Sequence, residues 1–189
     1  LNPLELIKFR WQGMISKLDD QGYNTPRNVD EKGTLAILKA WEAAAGAQRK
    51  RMIMLSSIGV QRRETMPFPV LNACGVLDAK AAGEEAIKAD AAAAGYSYTI
   101  LRPGQLFGGP YDNNYYLGTL FQLDKDVETQ GVDMARGDTL LGDTLRSTLA
   151  EVTAQLMESG SALDMDFAVI NDKGEPPSVE GLRQKLSSL

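Results

Sequence analysis

The stretch VLDAKAAGEEAIKADAAAAGYSYTILRPG, residues 76–104, carries two structural elements and the punctuation between them. Residues 76–94 are rich in Ala, Glu and Lys, which favours a helix, and Gly95 supplies its stop. Tyr96-Ser97-Tyr98-Thr99-Ile100-Leu101 follows as a β-branched and aromatic strand, ended by Arg102-Pro103-Gly104. The same order appears once upstream. From Asn28, the apolar residues Val29, Leu35, Ile37, Leu38 and Trp41 recur at helical spacing, with Asp30 and Glu31 in the first turn and Gly46 as the stop. Past the basic cluster Arg49-Lys50-Arg51, the short apolar run Met52-Ile53-Met54-Leu55 ends in Ser56-Ser57-Ile58-Gly59 and reads as a buried parallel strand. Helix, strand, helix, strand predicts an α/β fold with a parallel sheet and right-handed crossovers.

The flanks are less regular. Residues 1–27 sustain neither a helical nor a strand period and read as a loop-rich lead-in, with 28–189 carrying the fold of a single domain. Residues 61–69 hold charges and two prolines and read as a loop. Residues 108–114 read as a turn cluster, and 115–133 as a partial helix followed by an extended piece. Leu149, Val152, Leu156 and Met157 share one face of a helix over 148–159, and residues 166–170 look like a final strand. Ser178 caps a short terminal helix with Glu180 in its first turn and Leu182 and Leu186 inward.

Composition narrows the function classes. The 189 residues are 43% hydrophobic and 24% charged, the make-up of an ordinary globular chain able to bury a core. A net charge of −5 argues against general attraction to phosphate backbones, so nucleic acid is a poor partner. Cys74 is the single cysteine, which rules out an internal disulfide and fits a reducing compartment; without basic neighbours in sequence it reads as inert. No histidine occurs, which removes Ser-His-Asp and Cys-His catalysis and His-ligated zinc. The acidic pairs Asp164/Asp166 and Asp124/Asp126 have too few neighbouring ligands for a metal site, so none is expected. Arg49-Lys50-Arg51 and Arg62-Arg63 read as solvated loops, and Trp11, Tyr115 and Tyr116 as aromatics packed under loops rather than lining a cleft. No apolar run is long enough to span a bilayer.

Several stretches together resemble the short-chain dehydrogenase/reductase superfamily, in its atypical, sugar-epimerase-like and NmrA-like branch. They are Asn24-Thr25-Pro26, Val29-Asp30 with Gly33-Thr34, residues 52–59, Asp78-Ala79-Lys80 with Gly83-Glu84-Glu85, and above all residues 98–104. Gly142-Asp143-Thr144, Arg146 and residues 149–152 look like the segment of plastid and cyanobacterial members where a strand hands over to a helix. The resemblance implies a Rossmann-type parallel sheet flanked by helices, of which this chain carries the C-terminal part. It also implies a nicotinamide cofactor, NAD or NADP. Ser57 matches the family's substrate-orienting hydroxyl and Lys80 its ribose-binding lysine; Ser56, Arg102, Pro103 and Gly104 stand where strand ends meet the cofactor.

Two departures from the family pattern bear on activity. Active reductases carry a tyrosine general acid four residues before the lysine, and here that position is Val76, which has no proton to give. The glycine-rich turn that seats a pyrophosphate on a helix N-terminus is not among the 189 residues. Half of a doubly wound sheet exposes an unpaired edge, so an N-terminal half, or another chain, is expected to cover it. The first residue, Leu1, agrees with a processed or trimmed chain. The cofactor expectation depends on that N-terminal half, and with it goes the choice between NAD and NADP.

Two functions remain open. One is a cofactor-binding, non-catalytic or weakly catalytic accessory subunit of a larger photosynthetic or respiratory membrane assembly, in a chloroplast by the resemblance to plastid members. The other is an NAD(P)H-dependent oxidoreductase acting on a small carbonyl or quinone-like substrate through Ser57 and Lys80, with another group or water in place of the tyrosine.

Overall fold

A computed structural model describes residues 3–108 and 128–189, with side chains from residue 11 onward. The chain is α/β and forms two compact units, Leu1–Met54 with Gly59–Tyr98, and Leu55–Ile58 with Thr99–Leu189.

In the first unit, α1 (Pro3–Asp20) corrects the loop-rich reading of the lead-in. Proline suits a first helical turn, and strong helix formers such as Leu4, Glu5, Leu6 and Lys8 follow it. The described part is largely exposed, Trp11 and Met14 included, yet the sequence does carry a helical signal, since Leu4, Ile7, Trp11, Ile15 and Leu18 recur every three or four residues. Only Asp19 is buried near its end; its carboxylate accepts a hydrogen bond from the Thr25 hydroxyl. The Asn28 amide donates to the carbonyls of Asp19 and Tyr23 at 2.9 and 2.8 Å, fastening the connection.

A π turn over Arg27–Glu31 then leads into α2 (Lys32–Ala45), and Gly46 ends the helix as expected. Only part of the predicted face is buried. Leu38 is buried, whereas Val29, Leu35 and Ile37 are 53%, 47% and 61% exposed. The wider π turn puts one extra residue into the winding and takes Val29 off the period of α2, while Leu35 and Ile37 lie on the regular helix beside Leu38 and stay exposed.

The second expected helix is present as α4 (Val76–Ala94), preceded by a single turn, α3 (Phe68–Leu71). The Asn72 side-chain oxygen accepts from the backbone N–H groups of Leu77 and Asp78, capping α4 from outside. Gly95 closes it at φ +75°, a conformation other residues adopt reluctantly. Gly83 lets α4 approach closely, since a Cβ there would lie 3.2 Å from the Asp30 carbonyl oxygen, the Met54 methyl and the Thr34 hydroxyl.

Strand β1 (Arg51–Leu55) follows α2, as predicted, but residues 51–54 are only half-buried and Leu55 is exposed. Just before it stands Arg49, whose side chain is 6% exposed rather than solvated. Its guanidinium lies 5.4 Å from the Trp41 ring centroid and 5.1 Å from that of Tyr96, while the two rings meet edge-on at 4.8 Å.

In the second unit, β2 (Ser97–Pro103) pairs in parallel with β6 (Met165–Asp172), and β4 (Gly131–Arg136) runs antiparallel to β6. Short β3 (Gln105–Phe107) pairs in parallel with β5 (Asp143–Leu145). Ile100, Leu101, Phe167, Ala168 and Val169 have no solvent exposure, so these strands are the centre of the core. The sheet is mostly parallel: Ser97 N–H donates to the Lys50 carbonyl in the first unit, and Ser56 and Ile58 N–H groups donate to Leu101 and Pro103 in the second, both partners advancing together.

As the resemblance implied, β5 runs straight into a helix, α5 (Arg146–Glu158), which buries Leu149, Val152 and Leu156. The last helix, α6 (Val179–Ser187), is capped by Ser178, whose hydroxyl accepts from Gly181 N–H, and buries Leu182 and Leu186. The extended piece expected before residue 133 continues as β4. Of the turn cluster at 108–114 only Gly108 is described, at φ +70°; residues 109–114, the partial helix expected after them, and Tyr115, Tyr116, Asp124 and Asp126 lie outside the described residues.

Candidate functional site

Lys80 sits in the second turn of α4, one turn after Val76. Its ammonium lies 2.9 Å from Asp30 Oδ1, and the two side chains keep 21% and 24% exposure. Asp30 comes from the π turn, 50 residues earlier. An ammonium has three N–H donors. One is spent on Asp30, and the partly exposed head leaves the others directed to solvent or a ligand. Such a donor set suits the neighbouring hydroxyls of a ribose. Val76, half-buried at the helix start, offers no polar atom beyond its backbone.

Ser56, Ser57, Arg102, Pro103 and Gly104 belong to the second unit, where the carboxyl end of β2 runs beside Ser56-Ser57-Ile58. Ser57 is half-buried, and its hydroxyl donates to the Ile58 carbonyl at 2.9 Å, which leaves its lone pairs to accept. Ser56 is buried, with its N–H held by Leu101.

Arg102 and Pro103 are the last two residues of β2 rather than a turn after it, with Gly104 the break before β3, and each of the three has a structural task. Arg102 is wholly buried and holds Asp166 at 2.9 Å, so its side chain is committed to that ion pair. The Pro103 carbonyl accepts from Ile58 N–H. Gly104 N–H donates to the Thr144 hydroxyl at 2.8 Å, which in turn donates to the Val169 carbonyl at 2.7 Å. A Cβ on Gly104 would collide with the Gly142 carbonyl oxygen, so the residue must be glycine for the two backbones to touch. The sequence placed the end of β2 two residues early, and nothing in it announced Thr144 or Asp166 as partners.

A cleft of about 250 Å³ in the first unit is lined by Asp19, Arg27, Glu31, Asn72, Cys74 and Asp78 among others, and Lys80 is not part of its lining. Its charged walls are internally paired, Arg27 with Glu31 and Asn72 with Asp78. Cys74 is exposed there. Among the described residues, no group of three or more acidic, cysteine or histidine side chains is placed to hold a metal ion, and no helix is long and apolar enough to cross a membrane.

Solved structures with this fold include an oxidoreductase, ylbE, from Lactococcus lactis, with a TM-score of 0.61 at 20% identity over 88% of this chain and 62% of its own. A Bacillus halodurans protein assigned to the NAD-dependent epimerase/dehydratases has a TM-score of 0.60 at 22% identity over 84% of this chain and 61% of its own. The anaerobillin reductase ChuY from Escherichia coli O157:H7 has a TM-score of 0.55 at 16% identity, over 79% of this chain and 62% of that one. At such identities the likeness establishes the Rossmann-like fold, and this chain spans about three fifths of the length of each. No curated protein matches the sequence. A family model described as NAD(P)H-binding matches residues 15–159, well over half of the chain. The chain belongs to the NAD(P)H-binding family.

Proposed function

We propose that this protein holds a nicotinamide nucleotide through Lys80 and serves as a cofactor-binding accessory component of a larger assembly, with little or no reductase activity of its own. The observation that carries the reading is Val76, one helical turn before Lys80, where a reductase of the resembled superfamily needs its acid. Lys80 fits the ribose: its ammonium is partly exposed and oriented by Asp30, with donors to spare. A bound nicotinamide nucleotide supplies a hydride. Without a tyrosine beside Lys80, a carbonyl accepting that hydride lacks the proton donor that the resembled reductases use. In the second unit, the same reading gives the accepting lone pairs of Ser57 to a bound ligand, while Ser56, Arg102, Pro103 and Gly104 shape the strand ends. The photosynthetic or respiratory membrane partner, and the chloroplast address, belong to this proposal through the resemblance to plastid members.

The test is titration of the purified protein with NADPH and NADH, followed by cofractionation from its native membranes. Saturable binding that weakens in Lys80→Ala, together with recovery at fixed stoichiometry in one complex, supports the reading. A free monomer in every fraction removes the accessory role.

The oxidoreductase reading is favoured by one observation, the retained Ser57 hydroxyl at a strand end, with small carbonyls and quinones as its substrate class. Cofactor oxidation in the presence of such a substrate, lost in both Ser57→Ala and Lys80→Ala, would establish it over the first.

A further inference from the structure

Asp30 is built into place more firmly than a chance surface partner of Lys80. It lies in the π turn, where the helix is wound one residue wider, and its backbone carbonyl accepts the Thr34 hydroxyl at 2.7 Å. The same carbonyl abuts Gly83, one turn beyond Lys80, and any larger residue at Gly83 would press on it. So the backbone of Asp30 is held from both sides, by α2 and by α4. Its side chain reaches Lys80 Nζ at 2.9 Å, and both groups are mostly buried, so the charge-assisted bond is only partly screened by solvent.

A lysine side chain has four rotatable bonds and loses considerable freedom when it is fixed against a ligand. A carboxylate that fixes it beforehand moves this cost from ligand binding to folding. We infer that Asp30 is a positioning residue for nucleotide binding: it anchors one N–H of Lys80 so that the two remaining donors are aimed at the paired hydroxyls of a nucleotide ribose. The inference rests on the reading of Lys80 as a ribose contact. It adds a residue from a different element, placed by the π turn, and it requires Asp30 to act only through Lys80.

That requirement defines the experiment. Dissociation constants for NADPH and NADH are measured by calorimetry for the wild-type protein and for Asp30→Ala, Asp30→Asn, Lys80→Ala and the Asp30→Ala/Lys80→Ala pair. Far-ultraviolet circular dichroism and thermal midpoints confirm that each is folded. Asp30→Ala is expected to weaken binding about tenfold. Asp30→Asn, which keeps an accepting oxygen at the same reach, should recover most of it. In the Lys80→Ala background, removal of Asp30 should change affinity less than about twofold, because the residue through which it acts is gone.

Equal losses from Asp30→Ala with and without Lys80 overturn the positioning role while leaving nucleotide binding by Lys80 intact. Tighter binding in Asp30→Ala also overturns it, since Asp30 would then be competing with the ribose. A wild-type protein that binds neither nucleotide overturns the ribose reading of Lys80, and the positioning role falls with it.

Discussion

Arg49 Nη1 stands 2.7 Å from Asp90 Oδ2, and the same Asp90 oxygen accepts the Tyr96 hydroxyl at 2.7 Å. One carboxylate oxygen of α4 thus gathers a cation from the chain ahead of β1 and a phenol from the chain ahead of β2. The edge-on rings of Trp41 and Tyr96 cover the Arg49 guanidinium, whose side chain is 6% exposed, which strengthens the ion pair beyond that of a fully exposed one.

Replacing Arg49 by alanine should therefore destabilise the protein by about 2 kcal/mol, from the lost stacking and the stranded carboxylate. Arg49→Lys keeps the charge but loses the planar stack, and should cost about 1 kcal/mol. Urea denaturation of the two variants checks both the sign and the order.

The cluster also sets a limit at high pH. Burial, followed by the hydrogen bond and the charge of Asp90, pushes the Tyr96 phenol well above its ordinary value, against a smaller opposing pull from Arg49. The unfolded chain then loses that proton more readily than the folded one. Stability from Tyr96 is complete below about pH 10, and it is lost as pH rises from there through the folded value. Chemical denaturation between pH 8 and about 11 should show a decline that is shallower in Tyr96→Phe. An unchanged slope in that variant would mean another group is responsible.

Gly104→Ala should be among the most damaging single-methyl additions. The new Cβ would overlap the Gly142 carbonyl oxygen, and neither backbone can yield without disturbing the hydrogen bonds through Thr144. A loss of about 3 kcal/mol is expected. Gly75→Ala provides a contrast, since no atom lies within 4 Å of a Cβ there and its cost comes from positive φ alone, about 1 kcal/mol.

Val76→Tyr tests whether catalysis is missing only an acid. A phenol one turn before Lys80 restores the proton donor of the resembled reductases, and general acid assistance is worth about 100-fold or more. If the remaining groups can handle a carbonyl substrate, NADPH oxidation should rise by that order in the variant. No increase, with nucleotide binding preserved, would favour the accessory role.

The main elements were legible because their signals are local. Residues 76–94 form α4 to the residue, and Gly95 stops it, since alanine-rich composition and a glycine end need no distant partner. The short strands β3 and β5, three residues each, carry too little pattern to be seen before their pairing is known. In α1 the sequence did offer a period, Leu4, Ile7, Trp11, Ile15 and Leu18, which the interspersed Gly13 and the turn residues 19–26 obscured. Lys80 and Asp30 both stood in stretches that carry the resemblance, but their pairing could not be read there. That contact spans 50 positions and depends on the π turn, a winding defect that no residue type announces. The same non-locality hid Arg49, whose neighbours in sequence are charged while its neighbours in space are aromatic.

The π turn over Arg27–Glu31 also constrains how this gene segment can change in length. Each residue of an α-helix turns the chain by about 100°, so one residue gained or lost near the start of α2 rotates every later side chain by that angle. Tightening the π turn to an ordinary one absorbs a deletion locally, leaving Leu38 and Trp41 facing as they do. A deletion beyond Glu31 has no such slack and would swing Leu38 out of its buried place. Length variation among descendants of this sequence should therefore collect at residues 27–31 and be purged from 32–45.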